Sequence, residues 1–314
     1  MTLVLSRMPL PPHLQEQMSS RFPFYDGTKP GSFDAMPAEV AAEVTDLFMP
    51  GIITTSDAVF DRLPKLRLIT CYGSGYEKVD VVGARKRGIE VANCPGINRE
   101  CVADLTWGLI LSLIRKLGPG DAYVRSGEFA INAPGRPGLV RSVHGSRMGI
   151  IGLGEIGIAV AERAAGFRIE VAYTNRKARS DVPYKFIADP MQLAEWCDIL
   201  VIAARADASN RHMVDERMMR ALGKDGVLIN ISRGTIVDET ALVKALNEGW
   251  IGGAGLDVYE HEPRVPAELI RAPNTVLTPH IGGMTAYAFQ KSLELCMANI
   301  EAVAAGKPAL TPVA

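Results

Sequence analysis

Eight short runs of β-branched and apolar residues recur along the chain with helix-spaced segments between them, and this alternation constrains the fold more than any other feature. The runs span residues 66–71, 89–92, 148–151, 169–173, 199–203, 227–231, 255–258 and 275–277. Between them, 102–117, 156–165, 215–222 and 239–247 place apolar residues at helical spacing, with Asp238 as an N-cap ahead of Glu239. Strands that are apolar throughout are buried on both faces, and helices supply the crossovers, so the pattern predicts α/β architecture with parallel sheets covered by helices. At 314 residues the chain suits about two domains. A boundary near residue 98 is expected, and a helix over 285–305 is long enough to cross back to the first domain.

Composition narrows the partners. Lys+Arg 34 against Asp+Glu 35 leave a formal charge of −1 with no block of like charge, so neither nucleic acid nor an anionic membrane is indicated. The longest apolar stretches, 199–204 and 109–114, fall far short of the roughly 18 residues a membrane span needs. The apolar start at 1–5 is broken by Ser6 and Arg7, too early for a signal peptide, and the expected location is cytoplasmic. Cys71, Cys94, Cys101, Cys197 and Cys296 are odd in number and lack a CxxC pair, which predicts free, mostly buried thiols. His13, His144 and His212 show no ligating spacing, so no metal is expected. The segment 126–138, SGEFAINAPGRPG, is broken by glycine and proline and reads as an exposed arm, either inert or wrapping a second subunit.

The run 148–151 leads directly into Gly152-Leu153-Gly154-Glu155-Ile156-Gly157 and then a helix pattern. Gly152 permits the tight turn, Gly154 lets the backbone approach a pyrophosphate, and Gly157 lets helix and strand pack closely, while N–H groups at the helix start face the anion. This is the fingerprint of a dinucleotide site. The next run closes in Thr174-Asn175-Arg176-Lys177, with no Asp or Glu at the position that accepts a ribose 2′-hydroxyl. Arg176 and Lys177, with Asn175 beside them, suit a 2′-phosphate, so NADP(H) is favoured over NAD(H); the alternative is a solvated basic turn above which NAD(H) binds.

Arg233, an acid in Glu260-His261-Glu262, and His280 each follow a predicted strand, where an open α/β sheet places its ligand crevice. Together they fit reduction of a 2-keto acid: a cation for the carboxylate and carbonyl oxygen, and a proton donor whose ring a carboxylate holds and keeps charged. Arg233 is the cation and His280 the acid. Residue type alone leaves Glu260, His261 and Glu262 in competition for the third role.

These segments resemble the D-isomer-specific 2-hydroxyacid dehydrogenases, closest to the branch of glyoxylate/hydroxypyruvate and hydroxyphenylpyruvate reductases. The likeness runs through Tyr72-Gly73-Ser74-Gly75, VADLTWGLIL, GIIGLGEIG, LINISRGTIVDE, GAGLDVYEHEP, TPHIGG and GKPALTPV. It implies Arg233, Glu262 and His280 as the catalytic set, substrate carboxylate bound at Ser74 and Gly75 with Arg233 and His280, and Asp257 against the nicotinamide carboxamide. Coenzyme contacts are expected from Thr106, Gly152, Gly154, Glu155, Ile156, Gly157, Asn175, Arg176, Lys177, Arg205, Ile231, Arg233, Asp257, His280 and Gly282. The implied architecture is two Rossmann-like domains, a flavodoxin-like substrate domain of 1–98 with 287–314 and a coenzyme domain of 99–286, with a cleft between them. A homodimer built by the coenzyme domains, with the 126–138 arm reaching across, is also implied.

The chain departs from the family pattern at Arg205-Ala206-Asp207, at Trp250, and at Gly283-Met284 after the catalytic His. Met284, Met49 and Tyr76 are candidates for shaping the substrate pocket, with packing as the alternative; Trp107 reads as core. A coenzyme-sensing binding protein and a phosphoglycerate or phenylpyruvate-type dehydrogenase remain competing readings. Absence of an interaction tail argues against the first, and the basic turn and the chain end at Ala314 against phosphoglycerate. A formate dehydrogenase is disfavoured, because Glu262 stands where that enzyme pairs its His with Gln.

Overall fold

A computed structural model describes residues 2–29, 31–131 and 134–313. The chain forms two compact units, Met1–Asn98 with Gly283–Ala314, and Arg99–Gly282. It re-enters the first unit ahead of position 287, because Gly283 already lies against Asn98, whose side-chain nitrogen an added Cβ would meet at 2.8 Å.

In the first unit β1 (Val4–Ser6), β2 (Phe24–Asp26), β3 (Asp46–Pro50), β4 (Leu68–Tyr72) and β5 (Glu90–Ala92) form a parallel sheet in the order β2-β1-β3-β4-β5. Helices α1 (Pro12–Ser19), α2 (Ala38–Ala41), α3 (Asp57–Arg62) and α4 (Val81–Lys86) connect the strands. Successive side chains of a strand point to opposite faces. Leu47, Met49 and Ile69 therefore pack with Phe60 and Leu63 of the α3 region, whereas Phe48 and Leu68 pack with Leu293, Met297 and Ile300 of the closing helix Ala286–Ala304. Each such burial contributes roughly 1.5–3 kcal/mol relative to exposure.

Of these strands the sequence pattern identifies only β4 and β5. β1 closes on Ser6, β2 on Asp26, and β3 starts on Asp46, so none of the three stands out as a bounded apolar run. Asp46 is fully buried because Thr45 Oγ1 (2.6 Å) and Arg67 Nη2 (3.1 Å) donate to its carboxylate. Burial still pushes its carboxyl above the usual range, against those two bonds.

The second unit opens with α5 (Arg99–Ile114) and α6 (Leu117–Arg125), then runs β6 (Arg147–Ile151), α7 (Glu155–Ala164), β7 (Glu170–Thr174), β8 (Lys185–Phe186), α8 (Pro190–Trp196), β9 (Ile199–Ile202), α9 (Glu216–Leu222), β10 (Val227–Asn230), α10 (Glu239–Asn247), β11 (Gly253–Leu256), α11 (Ala267–Arg271) and β12 (Thr275–Leu277). All seven strands are parallel, in the order β12-β11-β10-β9-β6-β7-β8. That is the doubly wound Rossmann order extended by one strand. Leu200, Ile202 and Leu228 pack with residues of α8, α9 and α10, while Ile150, Val201 and Ile229 pack with α5 and α7, where Trp107 is buried as expected of a core residue. Asp189, Asp215 and Asp238 each cap the helix that follows.

The single helix expected over 102–117 divides after Ile114: Lys116 takes a left-handed conformation (φ 54°) and α6 starts afresh at Leu117. Of the 126–138 segment, Glu128–Ile131 forms one 3₁₀ turn, and Asn132 and Ala133 lie outside the described residues. The five cysteines are free, four of them buried. Among the described residues no helix is long and apolar enough to cross a membrane, and no group of three or more His, Cys, Asp or Glu side chains is placed to hold a metal.

Candidate active site

In the second unit the strand order reverses between β6 and β9, and an open α/β sheet leaves its crevice at the carboxyl ends of such a pair. Past β6 the chain turns at Gly152, whose φ of 95° favours glycine. A Cβ there would sit 2.4 Å from the Ala204 backbone, so only glycine lets the two strand ends close up. A Cβ on Gly157 would meet the Gly152 carbonyl oxygen at 2.3 Å, whereas at Gly154 there is open space. Gly154 caps α7 without a side-chain bond, which leaves the first N–H groups of the helix, at Glu155 and Ile156, to an outside acceptor. The crevice has a volume of about 910 Å³ and is bounded by Gly152, Gly154, Asn175, Arg176, Lys177 and Arg205 among others. A dinucleotide fits this cradle: the backbone approach is open and the helix start is uncapped.

Its walls are braced from within. Asn175 Oδ1 accepts from Leu153 N (2.7 Å), so this side chain supports the glycine turn. Arg179, which the sequence reading missed, donates to the Leu153 carbonyl (3.0 Å) and pairs with Asp181. Arg176 pairs with Asp207 on the loop after β9, within the Arg205-Ala206-Asp207 segment where the chain departs from the family pattern. Lys177 and Arg205 are exposed, and Ile231 is buried in the core cluster that holds Ile150 and Val201.

At the ends of β10, β11 and β12 lie the three catalytic candidates. Arg233 follows β10 on a turn held by Asn230, whose Nδ2 donates to the Arg233 carbonyl (3.0 Å) and whose Oδ1 accepts from Ser232 N (3.1 Å). Gly234 presses this turn against the next loop so closely that a Cβ would lie 1.9 Å from the Tyr259 carbonyl carbon. That next loop carries the acids. Glu260 is committed to Arg211 and to His212 Nε2 (2.9 Å), while Glu239, buried, accepts from Glu260 N (2.7 Å). Burial pushes the Glu239 carboxyl up.

Glu262 points the other way: Oε2 lies 2.7 Å from His280 Nδ1, and Oε1 accepts from Tyr259 N (3.0 Å). Geometry thus sets Glu262 apart from Glu260, and His261 is exposed. Burial works to raise the Glu262 carboxyl, but the His280 and Tyr259 bonds and the nearby charges of His280 and Arg233 outweigh it and hold it below the usual range.

His280 has φ 54°, a left-handed conformation rare for a residue with a side chain. Asp257, 2% exposed, makes it tenable. Its Oδ1 accepts from Thr278 Oγ1 (2.6 Å) and Ile281 N (2.8 Å), and its Oδ2 from Gly282 N (2.8 Å). Asp257, expected against the nicotinamide, is therefore engaged in clamping the His280 turn, and Gly282 donates to that clamp. Thr106, expected to face the coenzyme, is fully buried with its hydroxyl donated to the Val102 carbonyl (2.7 Å).

In the first unit Ser74 and Gly75 follow β4 on a turn begun by Gly73 (φ 92°). Asn93 Nδ2 donates to the Ser74 carbonyl (2.8 Å), and Gly51 approaches so closely that a Cβ would meet the Gly75 carbonyl. Met49 is fully buried in that unit's core, with Tyr76 packed against the same cluster, whereas Met284 is exposed. Trp250 stacks under the Arg220 guanidinium, 3.5 Å from its ring centre.

Comparison with known proteins identifies the family. The profile of the D-isomer specific 2-hydroxyacid dehydrogenase, NAD binding domain, matches residues 107–282. The chain is 40% identical over 314 residues to hydroxyphenylpyruvate reductase of Plectranthus scutellarioides, covering 99% of this chain and 98% of that protein. It is 45% identical over 251 residues to glyoxylate/hydroxypyruvate reductase A of Arabidopsis thaliana, covering 80% and 79%. An NADPH-dependent glyoxylate/hydroxypyruvate reductase of Sinorhizobium meliloti, solved with NADP and malonate, superposes with a TM-score of 0.90 at 33% identity, covering 100% of this chain and 97% of that one. With a matching profile over the coenzyme unit and a relative aligned end to end, the chain belongs to the D-isomer specific 2-hydroxyacid dehydrogenase family and is an NAD(P)-dependent oxidoreductase.

Proposed function

We propose that the protein reduces a small 2-keto acid, such as glyoxylate or hydroxypyruvate, to the D-2-hydroxy acid, with NADPH as the preferred reductant. The observation that carries this reading is the His280–Glu262 pair at 2.7 Å, set on the same unit as the dinucleotide crevice and within reach of the Arg233 charge. Glu262, held ionised, takes the Nδ1 side of the ring and leaves Nε2 for the substrate. Arg233 attracts the substrate carboxylate and polarises its carbonyl. A bound reduced nicotinamide supplies the hydride to the carbonyl carbon. His280 gives its proton to the carbonyl oxygen as negative charge develops there, and Glu262 stabilises the charged ring up to that point.

Preference for NADPH is supported by the basic pair Arg176–Lys177 where an acid would serve NADH, and by the NADP complex of the Sinorhizobium relative. The test is loss of reduced-coenzyme absorbance with glyoxylate, hydroxypyruvate and phenylpyruvate, each with NADPH and NADH, for the wild type and His280→Ala. Turnover with NADPH ahead of NADH is expected, falling by about 10²–10⁴-fold in the variant while coenzyme binding persists. Tight coenzyme binding without turnover on any keto acid, or full activity in the variant, would sink the proposal.

A further inference from the structure

The coenzyme reading seats a 2′-phosphate on Arg176 and Lys177, and no acid stands at the end of β7 to accept a ribose hydroxyl. An acid nevertheless faces the same turn from the opposite wall of the crevice. Asp207, on the loop after β9, pairs through Oδ2 with Arg176 Nη2. Its Oδ1 accepts from both the N–H (2.8 Å) and the hydroxyl of Ser209. Asn210 Oδ1 accepts from Asp207 N (2.9 Å), and the buried Asn210 amide donates to the Arg205 carbonyl (2.8 Å). The Ser209 bonds and the charges of Arg176 and Arg205 hold the carboxyl below its usual range, so it is ionised at neutral pH.

The two partners of this pair differ in how they are held. Arg176 is 83% exposed, and an exposed ion pair contributes little, so it opens at small cost when a phosphate arrives. Asp207 stays where its own loop fixes it. A phosphate entering beside Arg176 then meets a fixed negative charge, whereas a ribose hydroxyl meets a free lone pair of a strong acceptor.

We propose that Asp207 is a specificity-determining residue for the coenzyme: it opposes the 2′-phosphate and accepts the ribose 2′-hydroxyl, so that the basic turn admits NAD(H) beside NADP(H). This rests on the coenzyme reading above. Calorimetric titration of the intact protein with adenosine 2′,5′-bisphosphate and with AMP, the adenosine portion with and without the 2′-phosphate, reads the effect without turnover. Asp207→Asn keeps an acceptor for Ser209 and loses the charge. It is expected to bind the bisphosphate about tenfold tighter and AMP more weakly than the wild type does. Melting without ligand checks the fold of the variant, and Asp207→Ser provides the same readout should the Asn variant melt early.

Unchanged affinities for both probes in a folded variant would overturn the role of Asp207 and leave the coenzyme site standing. Weaker bisphosphate binding would overturn it too, and would make Asp207 a support for Arg176. A wild type that binds neither probe would overturn the coenzyme reading together with the proposal.

Discussion

His280 holds a backbone conformation that costs on the order of 1–3 kcal/mol for a residue with a side chain, and its neighbours over-determine it. Three donors of its own turn converge on Asp257, and Glu262 takes the ring. The same pairing carries a pH dependence. Glu262 in the folded chain lies below its unfolded value of about 4.3, so it contributes stability above that value and loses the contribution as pH falls through its lowered folded value. Acid unfolding followed by circular dichroism should therefore fall more steeply in the wild type than in Glu262→Gln between about pH 5 and 3; matching slopes would contradict the assigned shift. Arg233 and His280 were legible in the sequence because each chemistry-bearing type follows directly on a strand. The choice between Glu260 and Glu262 was not, because it turns on Arg211 and His212, almost fifty positions upstream of Glu260. Asp207 stood out only as part of a departure from the family pattern; its pairing with Arg176 was illegible for the same reason, since that partner lies across the crevice.

Between elements, packing decides what a loop can carry. Gly234 is the tightest such point: the turn bearing Arg233 and the loop bearing Glu262 touch backbone to backbone there. Gly234→Ala forces them apart, with an expected loss of about 3 kcal/mol and most of the turnover, read by thermal melting and the keto-acid assay. An alanine variant as stable as the wild type would refute the contact. The parallel strands of the coenzyme unit, β8 apart, were read from apolar runs of three to five residues. β1, β2, β3 and β8 were not, because Ser6, Asp26, Asp46 and Lys185 at their ends leave no bounded apolar run to read. The break between α5 and α6 escaped notice because apolar residues continue through it, while a single left-handed residue, Lys116, sets the stop.

The molecule as a whole is built from two parallel sheets whose strand orders, β2-β1-β3-β4-β5 and β12-β11-β10-β9-β6-β7-β8, follow from alternation of strand and helix in the chain. What the alternation leaves unexplained is a set of bare apolar side chains on α6 and beyond it. Leu117, Val124, Phe129, Ile131 and Leu139 are each more than half exposed on the coenzyme unit. Exposed apolar side chains in this number suit an association surface, and we propose that a second copy of the chain covers them; light scattering at micromolar concentration is then expected to give a mass of two 33.9 kDa chains. The mass of a single chain would argue against it. The seat of Gly234 also bears on recombination between relatives. A crossover placed between positions 234 and 259 would join an arginine turn from one parent to a glutamate loop from another at a spacing neither parent set. Exchanging the stretch from Asn230 to Gly282 as one block keeps the contact intact, so for such exchanges these loops form one cassette even though tens of residues of helix and strand lie between them.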